Sequence, residues 1–288
     1  MRQVQRIAFV LFTVLESLRF ENCVASAADM PMKAPPYIAS FSWTGFYVGG
    51  NVGGGWSSGW NSAADPLPDP TFFNASPLSF SNKASGIIGG GQIGYNWQFT
   101  PNWLFGIETD FQGANLKGGS TTGPIPAFPN ASVFHAGSSS FMNRELDWFG
   151  TVRGRFGLTF DRWLVYGTGG FAYGEVKYSA DTNYPIASTA ENPNFVLGFP
   201  VSFSDTRPGW TVGGGAEYAL PGTYGNWTIR GEYLFVSLTG GDSVTSSGVP
   251  SQPPPTAYGY SWNKTDFQIA RFGLNYKFDL GAPVTARH

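Results

Sequence analysis

Around residue 103 apolar and polar side chains begin to alternate, with Trp103, Phe105, Ile107 and Phe111 on one side and Gly106, Glu108, Asp110 and Gln112 on the other. A period of two is the mark of a strand with two unlike faces. The pattern recurs along the chain. In the next segment Leu146, Trp148, Val152, Phe156 and Leu158 stand against Thr151, Arg153 and Arg155. Further on, Trp210, Val212, Ala216 and Tyr218 oppose Thr211, Gly213 and Glu217, and Trp227, Ile229, Tyr233 and Phe235 oppose Thr228, Arg230 and Glu232. The glycine-rich stretch WTGFYVGGNVGGGW sets Phe46, Val48, Val52 and Trp56 opposite Tyr47, Asn51 and small residues. Eight strands are predicted, over 43–56, 84–99, 103–116, 144–160, 163–178, 208–220, 226–239 and 265–279. The segment 163–178 has aromatics on both sides, so its facing stays open.

Short turn signals fall at Pro101-Asn102, Asp161-Arg162 and Pro221-Gly222. Long stretches rich in Ser, Thr, Asn, Pro and Gly separate the other strands, over 57–83, 117–143, 179–207 and 240–264, and are expected to be loops. Three short turns on one side and four long loops on the other describe an antiparallel up-and-down barrel of the outer-membrane type, with turns in the periplasm and loops outside.

Charge decides which solvent the apolar face meets. Only 12% of the residues are Asp, Glu, Lys or Arg, against about 25% in ordinary soluble domains. A soluble barrel with its apolar face inward would need a more charged exterior. Trp43, Trp103, Trp163, Trp210 and Trp227 fall at or near predicted strand ends, where a membrane barrel keeps its aromatic girdle. The start of the chain points to export. Arg2 and Arg6, an apolar run from Ile7 to Leu15, and Ala25-Ser26-Ala27 before Ala28 read as a cleaved signal peptide over 1–27. Residues 28–42 read as a Pro/Ala-rich lead-in, 43–279 as the barrel and 280–288 as a short tail. Cys23, the single cysteine, falls within the signal, so no disulfide is expected. At a net charge of −2 the chain carries no basic footprint for nucleic acid.

Catalytic motifs fail on context. Gly89-Gly90-Gly91-Gln92-Ile93-Gly94 fits the dinucleotide fingerprint, but lies inside a strand pattern with no helix to follow. Gly55-Trp56-Ser57-Ser58-Gly59 fits the nucleophile elbow and lacks the helix it needs. Of the two histidines, His135 in a predicted loop and His288 at the end, at most one could serve a triad or a metal site; His135 leaves a histidine-centred enzyme open as a minor alternative, though a loop histidine is more often simply solvated. No catalytic residue, cofactor or metal is expected. What remains is charge on the inward face, where Glu108, Asp110, Glu217 and Glu232 meet Arg153, Arg155, Arg230 and Arg271. They form either a plug of ion pairs or the lining of a polar pore. The plug is favoured, since an interior of about eight strands is wide enough only for its own side chains.

The lead-in ADMPMKAPPY followed by WTGFYVGGNVGGGW, the segment DRWLVYGTGGFAYG and the ending RFGLNYKF together resemble the alphaproteobacterial outer-membrane β-barrel proteins often labelled porin family. These are similar to the eight-stranded membrane domain of OmpA. The resemblance implies residence in the outer membrane of a Gram-negative bacterium, among outer-membrane lipid and lipopolysaccharide. It also implies recognition by the barrel-assembly machinery of a final strand with alternating Phe272, Leu274, Tyr276 and Phe278, although ten residues follow Phe278 here. The expected role is structural, stabilising the envelope and displaying loops. Two alternatives stand beside it: a small or gated porin with a charged lumen, and a surface module binding haem or a host surface through His135, Phe72, Phe73, Phe134 and Phe141.

Overall fold

The computed structural model describes residues 41–57, 59–67, 78–125, 138–185, 196–240, 243–247 and 257–278. Residues 1–40, with the signal site Ala25, Ala27 and Ala28, lie outside them, as do the tail beyond residue 278, His135, Phe72, Phe73 and Phe134. The described strands are β1 (Gly45–Trp56), β2 (Trp60–Leu67), β3 (Leu78–Asn82), β4 (Ser85–Gln98), β5 (Trp103–Ile125), β6 (Ser138–Phe160), β7 (Trp163–Pro185), β8 (Val196–Gly198), β9 (Val201–Ala219), β10 (Trp227–Leu238), β11 (Ser243–Ser247), β12 (Ala257–Trp262) and β13 (Thr265–Lys277).

Eight of them, in the order β1, β4, β5, β6, β7, β9, β10 and β13, form a closed antiparallel ring. Ring neighbours follow one another along the chain until β13 pairs back with β1, from Tyr47↔Lys277 to Trp56↔Gln268. Closure leaves the ring no open edge, which is what hydrocarbon demands of a backbone that crosses it. No described helix is long and apolar enough to cross a membrane; the strands do so. At the turns, Asp161 takes φ 53 and Gly222 φ 70, left-handed conformations that aspartate tolerates and glycine adopts freely.

Alternation sorts the side chains as the pattern requires. Outward are Val52, Ile93, Ile107, Phe111, Phe156, Phe171, Val212, Ile229 and Phe272, all exposed as lipid-facing residues are. On β7 the inward set is Leu164, Tyr166, Ala172, Val176 and Tyr178, which settles the facing that sequence left open. One expectation fails on β6. Leu146 is fully buried inside, because the register of β6 with β7 shifts between Leu146 and Trp148. A one-residue bulge flips every side chain beyond it to the other face.

The four long stretches also differ from expectation. β5, β6 and β7 each run for 23 residues, far past the 12 or 13 of β1, β10 and β13, so one side of the ring stands tall. From the short side rises a second antiparallel sheet, in the order β11, β12, β2, β3. Its central pairing, β2 with β12 from Ser62↔Trp262 to Leu67↔Ala257, joins segments from opposite ends of the chain. Much of what reads as loop is therefore strand. Ser, Gly and Pro weaken the local signal, while the aromatics at alternate positions supply burial only once the two segments meet.

The barrel interior as the candidate functional site

The interior is filled at three levels. At the periplasmic end Trp43 is 2% exposed and packs with Leu104, Leu164, Tyr166 and Ala219, with Phe41 edge-on to its ring at 4.9 Å. This corrects its place in the girdle. Trp43 lies before β1, its backbone N–H bonded to Gln98 Oε1 at 3.0 Å, and its ring turns into the mouth instead of out to lipid. Trp103, Trp163, Trp210 and Trp227 do point outward.

The middle level holds the eight charges, brought together from five strands. Glu108 and Asp110 come from β5, Arg153 and Arg155 from β6, Glu217 from β9, Arg230 and Glu232 from β10, and Arg271 from β13. Register does much of the assembly, since Glu108 pairs across from Arg153, Glu217 from Arg230 and Glu232 from Arg271. Arg153 reaches Asp110 at 2.9 Å, Glu232 at 3.0 Å and also Glu108. Arg155 meets Glu217 at 2.8 Å and lies 4.0 Å over the Tyr166 ring. Arg230 donates to Glu108 at 3.2 Å, and Arg271 to Asp110 and Glu232, each at 2.8 Å. Apart from Glu217, at 4%, these side chains have no exposure at all.

Sequence reasoning missed part of the shell around these charges. The Tyr47 hydroxyl donates to Glu108 at 2.6 Å and the Tyr166 hydroxyl to Glu232 at 2.9 Å. Asn275 donates to Glu217 at 2.8 Å and accepts from Gln92 at 2.7 Å, and Thr228 also donates to Glu217. Inward alternation on β1, β4 and β13 could have found Tyr47, Gln92 and Asn275; the doubly aromatic β7 concealed Tyr166. The inward glycines leave room for these rings. A Cβ on Gly94 would stand 2.3 Å from the Tyr47 hydroxyl oxygen, and one on Gly215 2.8 Å from that of Tyr166.

The outer level is apolar. Trp60, Phe80, Tyr258, Tyr260 and Trp262 of the second sheet pack on Leu146, Phe149, Tyr178, Phe199 and Phe267. Tyr178 stacks on Phe203 at 4.9 Å, and the Tyr260 hydroxyl lies 2.9 Å from both Thr182 Oγ1 and the Phe199 carbonyl. Buried Arg144 sits under the sheet, 5.3 Å from the Trp60 ring and 5.5 Å from that of Tyr178. None of these residues reads as inward-facing from the sequence pattern alone.

The fingerprint Gly89–Gly94 lies within β4, paired on both sides, with no helix behind it. Phe141 is half-buried on β6. Among the described residues no three His, Cys, Asp or Glu side chains stand together as metal ligands would. Phe272, Leu274 and Phe278 face outward, and the Phe278 N–H donates to the Phe46 carbonyl at 2.8 Å.

A family model described as an outer membrane protein β-barrel domain matches residues 23–278. The chain belongs to that family. This outer-membrane barrel is 35% identical over 263 residues to the 31 kDa outer-membrane immunogenic protein of Brucella melitensis, covering 89% of this chain and 92% of that one. It is 27% identical over 241 residues to a 22 kDa outer membrane protein of Rhizobium leguminosarum bv. viciae, covering 82% of this chain and 79% of the relative. These relatives are outer-membrane proteins by name, and the protein resides in the outer membrane. Among solved structures, the Escherichia coli outer-membrane protease OmpT matches at a TM-score of 0.35 and 11% identity, over 80% of this chain and 97% of that one. Ail of Yersinia pestis matches at 0.30 and 11%, over 81% and 99%. At those scores no activity carries across.

Proposed function

We propose that this outer-membrane barrel is a sealed structural element of the envelope, which holds its place in the membrane, presents an ordered β-structure to the outside and catalyses no reaction. One observation carries the reading: eight charges with almost no exposure lie between an aromatic layer outside and the Trp43 layer beneath. An open aqueous pore wets its lining; these groups pair with one another instead. Four carboxylates balance four guanidinium groups, and an unpaired member would face a desolvation penalty of several kcal/mol. Phe272, Leu274, Tyr276 and Phe278 supply the alternating outward terminus for the assembly machinery, and the signal peptide ending near Ala27 supplies export. Ion conductance of the inserted mature chain tests the sealed reading. Silence supports it, and steady salt-dependent openings would replace it with the porin alternative.

A further inference from the structure

Unpaired polar atoms gather on the outer side of the ion-pair layer, and strand register brings them together. Asn51 on β1 pairs with Gly90 on β4, and Gly90 with Gln112 on β5. All three lie on the inward phase of their strands, so two carboxamides flank a residue that has no side chain. Glycine is required there, since a Cβ on Gly90 would stand 2.0 Å from the Phe111 carbonyl oxygen. The inward residue before Gln112 on β5 is Asp110, and Arg271 on β13 donates to its Oδ2 at 2.8 Å. Arg271 in turn lies opposite Gly53, a second inward position without a side chain. Among the described residues, five buried atoms of this group have no hydrogen-bond partner: Asn51 Oδ1, both ends of the Gln112 carboxamide, Asp110 Oδ1 and Arg271 Nη1.

Left dry, each of these atoms would keep its full desolvation penalty, so a ligand that pairs with them is called for. Their chemistry selects it. An anion would meet three oxygens, those of Asn51, Gln112 and Asp110. A cation would meet the Arg271 guanidinium, and would add charge to a layer in which four carboxylates already balance four guanidinium groups. Water both donates and accepts, and so suits three acceptors mixed with the donors Gln112 Nε2 and Arg271 Nη1. The space is closed toward the outside. Ile88 and Ile269, the next inward residues on β4 and β13, and Phe149, which pairs across from Gln112, are all buried in the apolar outer level.

We propose that this space is a binding site for ordered water, in which about two molecules, at about three hydrogen bonds each, complete the shells of Asn51, Asp110, Gln112 and Arg271. The bridges tie β1, β5 and β13 together across Gly90 and hold Asp110 in place for Arg153 and Arg271. The site rests on the sealed reading of the interior, because only a closed lumen keeps such waters from exchanging freely with the solvent outside.

The test uses the mature chain, deuterated on carbon and refolded in zwitterionic micelles in ordinary water. Nuclear magnetisation transfer is measured between water and the side-chain carboxamide protons, in the laboratory and rotating frames, so that its sign separates waters held by the protein from passing ones. In the wild type, transfer from held water is expected at Gln112, whose signal is assigned by its loss in Gln112→Leu, and at Asn51. Gln112→Leu keeps nearly the same volume and is expected to remove most of the transfer at Asn51 and to lower the denaturant midpoint, because the waters lose a donor and an acceptor. Absence of transfer in the wild type would overturn the site and leave the sealed lumen standing. A midpoint raised by Gln112→Leu would do the same, since that is the response of a dry, unpaired amide replaced by an apolar group of its own shape. Transfer only from water that exchanges as fast as bulk would overturn the sealed lumen, and the enclosed site with it. Heat-modifiable gel migration verifies folding, and if Gln112→Leu fails it, Gln112→Met takes its place.

Discussion

Glu108 is the residue on which the interior turns. Arg153, Arg155, Arg230 and Tyr47 all address its carboxylate, which has no exposure. Glu108→Ala would leave several buried cations short of a partner, and the expected cost is about 3–5 kcal/mol. Denaturant midpoints of the gel-shifted folded form, measured in micelles, check the value. A double change, Glu108→Leu with Arg153→Met, should cost less than the sum of the two single changes, because the pair leaves together. At Gly94 the constraint is steric. Gly94→Ala places a methyl group 2.3 Å from the Tyr47 oxygen, and an expected loss of about 1–3 kcal/mol follows from overpacking. In a Tyr47→Ala background the penalty should shrink without vanishing, because the methyl would still stand 2.8 Å from the Ile107 carbonyl oxygen. Equal penalties in both backgrounds would mean that backbone pairing, rather than the ring, selects glycine there.

Elements were legible in proportion to how local their causes are. The ring strands announce themselves because lipid enforces alternation, and β5 shows it from Trp103 to Gln112 with only Leu104 and Thr109 out of pattern. The inward charges were readable for the same reason, since Glu108, Arg153, Glu217, Arg230, Glu232 and Arg271 share the phase of their small neighbours. Two causes are not local. The bulge beside Asp147 inserts one residue, and period-two reading carried through it puts Leu146 on the wrong face. Deleting Asp147 should therefore restore unbroken period two with Leu146 and Arg144 still inside and Trp148 outside, so the heat-modifiable folded form should persist; its loss would show that the bulge itself is required. The second sheet depends on β2 meeting β12, nearly 200 residues apart in sequence, and no window along the chain contains both. There YGYSW shows alternation too weak to outweigh its small polar residues. Tyr260→Ala removes a ring and two polar contacts from that sheet, at an expected cost of about 3–5 kcal/mol. The ring of eight strands should still form, so gel migration should persist while protease cleavage near β11 and β12 rises. Loss of both together would show that the sheet is required for the barrel.

For the molecule as a whole, the shape follows from the solvent on each side of the strands. Hydrocarbon outside selects closure and an apolar exterior, and the narrow interior is completed by side chains. The Trp43 layer, the ion-pair layer and the aromatic layer are stacked along the axis, and each would have to open for a solute to pass. Single-channel recording in a planar bilayer tests this most directly, on mature protein whose insertion is verified by protease protection. The expected result is silence for the wild type. Discrete, salt-dependent openings in the wild type whose selectivity changes with Arg153→Ala would contradict the sealed barrel and make the buried charges a conduction path.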